Sequence, residues 1–325
     1  MSRPRRLQFP SGRALPSGRP LVVGHRGARA FAPENTLAAF AKAAALGCDM
    51  VELDVHLSRD GVAVVHHDDR LARCTDVAVE FPLFAGEYVS EFTADELREL
   101  DAGNWYVREL ERPNAQRQPF LHALTEAELA EQVPLAERER FSSGAIRIPT
   151  LHEVLALAAD RDILLNIEIK SIPRLYEGIA ARVVADVRAA GLHRSVLVSS
   201  FDHAQLVELR RLDADIATGV LTSGRLARIA DYLALLDADA YHPGCHGEVD
   251  SLGFGSVHGT LDQAAIAAIA DLAAAGHMVF AWTCNDAHRM AALAAAGVTG
   301  IITDYPNRAV AALHVQNEPP PIRWN

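Results

Sequence analysis

Met50-Val-Glu-Leu-Asp-Val-His-Leu-Ser-Arg-Asp-Gly-Val-Ala-Val-Val-His-His67 decides the fold. Both ends of this stretch are β-branched and apolar, and Asp60-Gly61 between them is a two-residue hairpin signal. So short a link joins antiparallel strands only, because parallel strands need a crossover of a dozen or more residues. A strand over 50–55 is therefore followed by one over 62–67 that runs back beside it. Outward from this hairpin, from Pro20 on, short β-branched runs alternate with amphipathic Ala/Leu segments. Strands are expected at 21–25, 163–169, 196–200, 216–221, 239–242, 278–283 and 300–304. Helical spacing lies between them, as in Leu37, Phe40, Ala41 and Ala44 after an N-cap at Asn35, and Leu261, Ala265, Ile269 and Leu272 before Gly276. Strand–helix alternation means parallel strands joined by crossovers. Without the returning arm, eight parallel strands remain, the count of a (β/α)8 TIM barrel with a protruding β-hairpin.

Residues 76–147 interrupt the rhythm with an acidic helical segment at 93–98, a Pro/Gln patch near 113–119 and an amphipathic acidic run at 122–140. Removing them from 20–314 leaves about 220 residues, a usual barrel size. They read as a helical insertion forming a cap on one barrel domain, 20–314. Residues 1–19 are rich in Arg and Pro and read as a disordered basic tail, and 315–325 as a C-terminal tail. Arg5-Arg6 has no apolar run behind it, so no export signal is read there.

The chain has 325 residues, 50% of them hydrophobic and 22% charged, which excludes a disordered or collagen-like chain. Its formal charge of -11 repels a polyanion, so nucleic acid is not an expected partner, while a local basic pocket can still hold one phosphate. No apolar run is long enough to cross a membrane, and a cytoplasmic location is expected. Cys48, Cys74, Cys245 and Cys284 are scattered without a C-x-x-C pair and read as reduced, buried thiols.

Chemistry concentrates at strand ends. Glu52 and Asp54 are two apart on one strand and share a face; Glu168 and Lys170 repeat the spacing on another. Bare carboxylates in a barrel interior are costly, so three converging acids need a cation, and an all-oxygen set selects Mg2+ or Ca2+ over zinc. A two-residue Asp60-Gly61 link would set Asp54 opposite His67 and present that ring to the metal face. His66 then points away, as a surface or core histidine, and His56 shares the parity of Asp54 nearer the turn. His25 ends the first strand within Gly24-His25-Arg26-Gly27, where Arg26 offers a fork to phosphate oxygens.

The ordered set His25-Arg-Gly, Pro33-Glu-Asn-Thr36, Glu52-Leu-Asp54, Arg59-Asp-Gly61, His67-Asp68, Ile148-Pro-Thr-Leu151, Glu168-Ile-Lys170, Ala281-Trp-Thr283 and Thr303-Asp-Tyr-Pro306 resembles the glycerophosphodiester phosphodiesterase family over residues 20–310. The resemblance implies a TIM-barrel hydrolase with one divalent cation. On it, His25 and His67 are the acid/base pair, Glu52, Asp54 and Glu168 the metal ligands, Arg26 and Lys170 the phosphate grip, and Trp282 a pocket wall. Two departures stand out: Arg73-Cys74-Thr75 replaces a threonine pair after an arginine, and 76–147 is longer and more acidic than in compact members.

The implied reaction is metal-dependent hydrolysis of a glycerophosphodiester to glycerol 3-phosphate and an alcohol. A phosphodiester needs charge neutralisation and proton transfer on opposite sides of an in-line displacement, and two histidines titrate in the right range. The sequence leaves open which histidine is the acid, and whether water or the neighbouring glycerol hydroxyl attacks. Two alternatives use the same residues: a phosphodiesterase or lyase acting on lysophospholipids or another head group, and a non-catalytic barrel that binds phosphate metabolites. Of the other polar strand-end residues, Asp304 reads as a helix cap or loop anchor and His242 as facing either the mouth or a local turn. Trp105 reads as anchoring the cap.

Overall fold

A computed structural model describes residues 5, 7–171, 176–246, 249–252 and 263–314. The expected tail at 315–325, the start of the N-terminal tail at 1–4, and Leu261 lie outside the described residues. Strands run in the order β1 (Leu21–Gly24), β2 (Met50–Leu57), β3 (Ala63–Val65), β4 (Leu164–Ile169), β5 (Val196–Ser200), β6 (Ala217–Thr222), β7 (Ala240–Pro243), β8 (Cys245–His246), β9 (Val249–Asp250), β10 (Met278–Ala281) and β11 (Gly300–Thr303). Eight of them pair in parallel around a closed ring, β1-β2-β4-β5-β6-β7-β10-β11 and back to β1. The ring is a TIM barrel with helices between its strands. β8 and β9 form a small separate ribbon.

β3 runs antiparallel to β2, as the hairpin signal requires, but in a different register. Val55 pairs with Val65, His56 with Val64 and Leu57 with Ala63. Consequently the N–H of His66, not that of His67, reaches Asp54 O, at 3.0 Å. The link holds three residues, Arg59-Asp60-Gly61, closed by Ser58 N–H to Val62 O at 3.0 Å. Gly61 donates to Ser58 O at 3.0 Å and sits at φ 77°, the left-handed residue of a three-residue loop. Ser58 Oγ secures it, donating to Asp60 Oδ1 at 2.7 Å and accepting from Val62 N at 2.9 Å. An Asp-Gly pair fits both loop lengths, and the serine before it decides.

The barrel interior below the mouth is apolar: Val23, Met50, Leu164, Leu197, Met278, Phe280 and Ile302 pack together. Leu7 and Phe9 complete this cluster with 5% and 2% exposure, so the expectation of a disordered N-terminal tail gives way for residues 7–19. The reason is hydrophobic. The end of the barrel where the strands begin leaves apolar side chains open to water, and burying a Leu or Phe against them gains about 1.5–3 kcal/mol each. Ser195 Oγ bonds Gln8 O at 2.7 Å, and Arg5 pairs with Asp237 at 3.0 Å.

Residues 76–147 carry five short α-helices, from Val77–Glu80 to Leu135–Phe141, and three 3-10 turns. Leu97, Tyr106, Leu121 and Phe141 join the same core cluster as Phe31 and Val51. Two tyrosines dock the segment: Tyr106 OH donates to Ala30 O at 2.7 Å, and Tyr305 OH to Phe120 O at 2.6 Å. Trp105 is buried but bonds locally, to Ala102 O. The helix Leu37–Ala45 is capped by Thr36 rather than Asn35, which leaves the Asn35 side chain for another task.

Candidate active site at the barrel mouth

Polar groups crowd the C-terminal ends of β1, β2, β4 and β11, where TIM-barrel enzymes carry their chemistry. Glu52 and Asp54 project from β2 and Glu168 from β4, and register sets Asp54 beside Glu168. All three are buried, with carboxylate oxygens within 4.8 Å of one another. Burial, with Asp54 and Glu168 as neighbours, pushes the Glu52 carboxyl well above its ordinary range. Burial raises Glu168 as well. Asp54 goes the other way: the nearby Lys170, His67 and Arg26 outweigh burial and hold it low. A buried acid trio with too little positive charge around it fits a hard divalent cation.

Lys170 lies on the same spot, with Nζ 2.5 Å from Glu168 Oε1 and 3.0 Å from Asp54 Oδ1. Burial alone would lower its value, but Asp54 and Glu168 outweigh that and keep it charged. Arg26 and Asn35 are the non-glycine residues at this site with left-handed backbones, φ 52° and 56°. Asn35 N–H donates to Arg26 O at 3.0 Å, locking the two turns together. The Asn35 side chain then bonds Asp54 Oδ2 at 2.7 Å, and the Arg26 N–H bonds Glu52 Oε2 at 2.8 Å. Backbone strain of this kind, about 1–3 kcal/mol per residue, persists where surrounding contacts over-determine it. Gly27, at φ 85°, lets the turn pass Ala39, because a Cβ there would stand 2.6 Å from the Ala39 backbone.

His25 and His67 are each oriented by a carboxylate. His25 Nδ1 donates to Asp304 Oδ1 at 2.6 Å, leaving Nε2 on the acid side, 4.0 Å from Glu52 Oε2. His67 Nδ1 donates to Asp68 Oδ1 at 2.7 Å. The N–H on Nδ1 makes Nε2 the free, basic nitrogen in both neutral rings. Burial, with Arg26, lowers His25 to about 4; burial, with Arg26 and Lys170, lowers His67 to about 3. His67 has Arg26, Lys170 and Asp54 as its charged neighbours despite the changed register, because the chain turns away from β2 after the His66 N–H to Asp54 O bond. His56 holds it from behind, with Nε2 donating to His67 O at 3.2 Å and Nδ1 accepting from Tyr176 OH at 2.8 Å. His66 is buried away from the acids, against Arg70 O. His242 is fully buried over Gly219.

Beside His25 and Asp304 opens a cavity of about 480 Å³ walled by Trp282, Gln118, Phe120 and Arg289. Trp282 stands there with its ring edge-to-face against Phe201 and its Nε1 donating to His242 O at 2.8 Å. The structure thus brings Glu52, Asp54, Glu168, Lys170, Arg26, His25 and His67 to one mouth, with Trp282 on its wall.

Sequence reasoning gave no role in the site to Asp304, Asp68, Glu34, Asn35, Arg29 or Arg73. Asp304, expected as a helix cap or loop anchor, does hold the Asn285 loop through a 2.7 Å bond from Asn285 Nδ2, and its other oxygen orients the His25 ring. Its signal was topological: closure pairs Gly24 with Thr303, so the next residues, His25 and Asp304, become neighbours.

The model of the glycerophosphoryl diester phosphodiesterase family matches residues 25–308. The chain belongs to that family. A glycerophosphodiester phosphodiesterase of Caldanaerobacter subterraneus subsp. tengcongensis is 31% identical over 291 residues, covering 89% of this chain and 96% of the relative. One from Bacillus altitudinis is 30% identical, over 89% of this chain and 96% of the relative. An Oleispira antarctica phosphodiesterase, solved in complex with the product sn-glycerol-3-phosphate, superposes with a TM-score of 0.66 at 27% identity, over 91% of this chain and 97% of that one. The chain is accordingly a phosphodiesterase enzyme of this family. No helix among the described residues is long and apolar enough to cross a membrane.

Proposed function

We propose that the chain hydrolyses glycerophosphodiesters to glycerol 3-phosphate and an alcohol, using one divalent cation and the His25/His67 pair. The observation that carries the reading is the trio Glu52, Asp54 and Glu168, buried and flanked by two rings that each present Nε2 with Nδ1 locked. Glu52, Asp54 and Glu168 would hold Mg2+ or Ca2+, which would balance the acids and supply Lewis-acid polarisation of the phosphoryl oxygens. Arg26 and Lys170 grip those oxygens as a fork and a point charge. One ring takes the proton of the nucleophile, a water or the neighbouring glycerol hydroxyl, and the other gives a proton to the departing alkoxide. Burial keeps both rings neutral at pH 7, and a phosphate anion beside them favours the protonated form, which supplies the acid. Trp282 lines the head-group side. Residues 20–314 form the working unit, with 76–147 as the cap that brings Gln118 and Phe120 to the pocket wall.

The test is release of glycerol 3-phosphate from a panel of glycerophosphodiesters and lysophospholipids, in chelator and after adding back Mg2+ or Ca2+. Turnover of glycerophosphodiesters restored by either cation supports the reading. Full activity in excess chelator, or turnover of lysophospholipids alone, contradicts it.

A further inference from the structure

Glu34 lies in the Pro33-Glu-Asn-Thr36 turn, 5% exposed, and takes part in none of the steps above. Its two oxygens accept four hydrogen bonds from three arginines. Arg73 clamps it with Nη2 to Oε1 at 2.6 Å and Nη1 to Oε2 at 3.2 Å. Arg26 Nη1 donates to Oε1 at 2.9 Å, and Arg29 Nε to Oε2 at 2.7 Å.

Two of these arginines continue outward to the carboxylates that orient the histidines. Arg73 donates from Nε to Asp68 Oδ2 at 2.6 Å and from Nη2 to Asp68 Oδ1 at 2.9 Å. Arg29 Nη1 stands 3.7 Å from Asp304 Oδ1. One path therefore runs Glu34–Arg73–Asp68–His67 and the other Glu34–Arg29–Asp304–His25. The third arginine, Arg26, is the phosphate fork.

We propose that Glu34 is a positioning residue that ties the two histidine–aspartate pairs and the phosphate-gripping arginine into one unit. The inference rests on the reading that His25 and His67 transfer the protons, and adds what keeps them in step. Its physical basis is charge and donor count. Glu34, Asp68 and Asp304 face Arg26, Arg29 and Arg73, three charges against three. Only an ionised carboxylate satisfies four guanidinium N–H groups at once; an amide would turn its own N–H donors toward them. The arginines outweigh burial and hold Glu34 well below the usual carboxylate range, so it stays ionised. Any displacement of Glu34 moves Arg73 and Arg29 together, and with them both orienting carboxylates. The cap meets the same unit: Arg73 Nη1 also donates to Gln118 Oε1 at 3.0 Å, and Arg29 lies 3.9 Å over the Phe120 ring.

The test combines proton NMR of the metal-free protein with steady-state kinetics on glycerophosphocholine. Two deshielded Nδ1–H resonances are expected from the rings, assigned by their loss in Asp304→Asn and in Asp68→Asn. In Glu34→Gln both resonances should move, and kcat should fall about 10–100-fold, the usual cost of losing such a support. KM should change far less. Arg29→Lys should move the His25 resonance most and Arg73→Lys the His67 resonance most, each with a smaller shift of the other ring passed on through Glu34. Both resonances unmoved in Glu34→Gln, or one of the two alone shifted, overturns the proposal. Should Glu34→Gln not fold, Arg29→Lys and Arg73→Lys decide: a shift of the distant ring's resonance in each, smaller than that of the near ring, supports one unit, and shifts confined to the near ring in both overturn the proposal. Failure of the underlying two-histidine reading shows separately, as near-native turnover in His25→Ala and His67→Ala.

Discussion

Nδ1 of His25 lies 2.6 Å from Oδ1 of Asp304, across the seam where the last barrel strand meets the first. This contact fixes which ring nitrogen faces the acid trio, and a second carboxylate, Asp68, does the same for His67. Asp304 is itself held by Asn285 Nδ2 at 2.7 Å, so the ring is oriented by a chain rather than by one flexible side chain.

Asp304→Asn keeps the shape but lets the amide offer N–H where the ring needs an acceptor. The tautomer with Nε2 free is then no longer enforced. We expect kcat to fall about 10–100-fold with KM much less affected, measured on glycerophosphocholine. An unchanged kcat would show that the contact is only structural.

Metal binding should be visible without turnover. A cation that binds the folded protein alone adds about 2.7 kcal/mol of stability at one hundred times its dissociation constant. Thermal melts in chelator and at rising Mg2+ or Ca2+ should show a concentration-dependent increase in Tm. In Glu168→Gln that increase should shrink or vanish. A melt indifferent to either cation would count against the acid trio as a metal site.

Phe9→Ala tests the plug at the opposite end of the barrel. Removing a fully buried phenyl ring costs about 3–5 kcal/mol, so the variant should melt well below the parent. Its KM should be unaltered, because the plug and the catalytic mouth are at opposite ends. An unchanged Tm would mean that the N-terminal segment is dispensable.

The Glu128–Arg308 pair links the cap to the last barrel helix, with Arg308 Nη2 2.6 Å from Glu128 Oε2. Bonds from Arg308, Asn307 and Thr125 outweigh burial and lower the Glu128 carboxyl to about 2. Its folded value is thus below its unfolded one of about 4.3. The stabilisation is fully present above that unfolded value and is lost as pH falls toward about 2. For a partly exposed pair it is at most about 1 kcal/mol. Glu128→Gln should lower Tm slightly at pH 7, with the gap closing as pH falls below about 4.3. A gap that grows on acidification would reverse the sign of this argument.

The barrel was legible because β-branched runs alternating with helical spacing, together with a hairpin link, leave one parallel count, and the acids were legible because E-x-D on a strand fixes a shared face. The hairpin register was not, since Asp-Gly fits two-residue and three-residue loops alike and Ser58 Oγ decides between them. The burial of Leu7 and Phe9 was hidden in an Arg/Pro-rich stretch, where composition speaks for the backbone rather than for two apolar side chains. The site roles of Asp304, Glu34 and Arg73 were hidden for another reason. Their partners are 279, 8 and 39 residues away in sequence: barrel closure joins Asp304 to His25, the turns after β1 fold Glu34 back onto Arg26, and the chain after β3 carries Arg73 to Glu34.

The central claim, that His25 and His67 carry the proton transfers, is tested most directly by kcat of His25→Ala and His67→Ala on a glycerophosphodiester and on its 4-nitrophenyl analogue. Each variant should lose about 10²–10⁴-fold on the natural type of substrate, with KM changing far less. The losses should not multiply in the double variant, since both groups act in one displacement. On the analogue, whose leaving group needs little protonation, the variant lacking the general acid should recover and the other should not. Near-native turnover of glycerophosphodiesters by both variants would contradict the account.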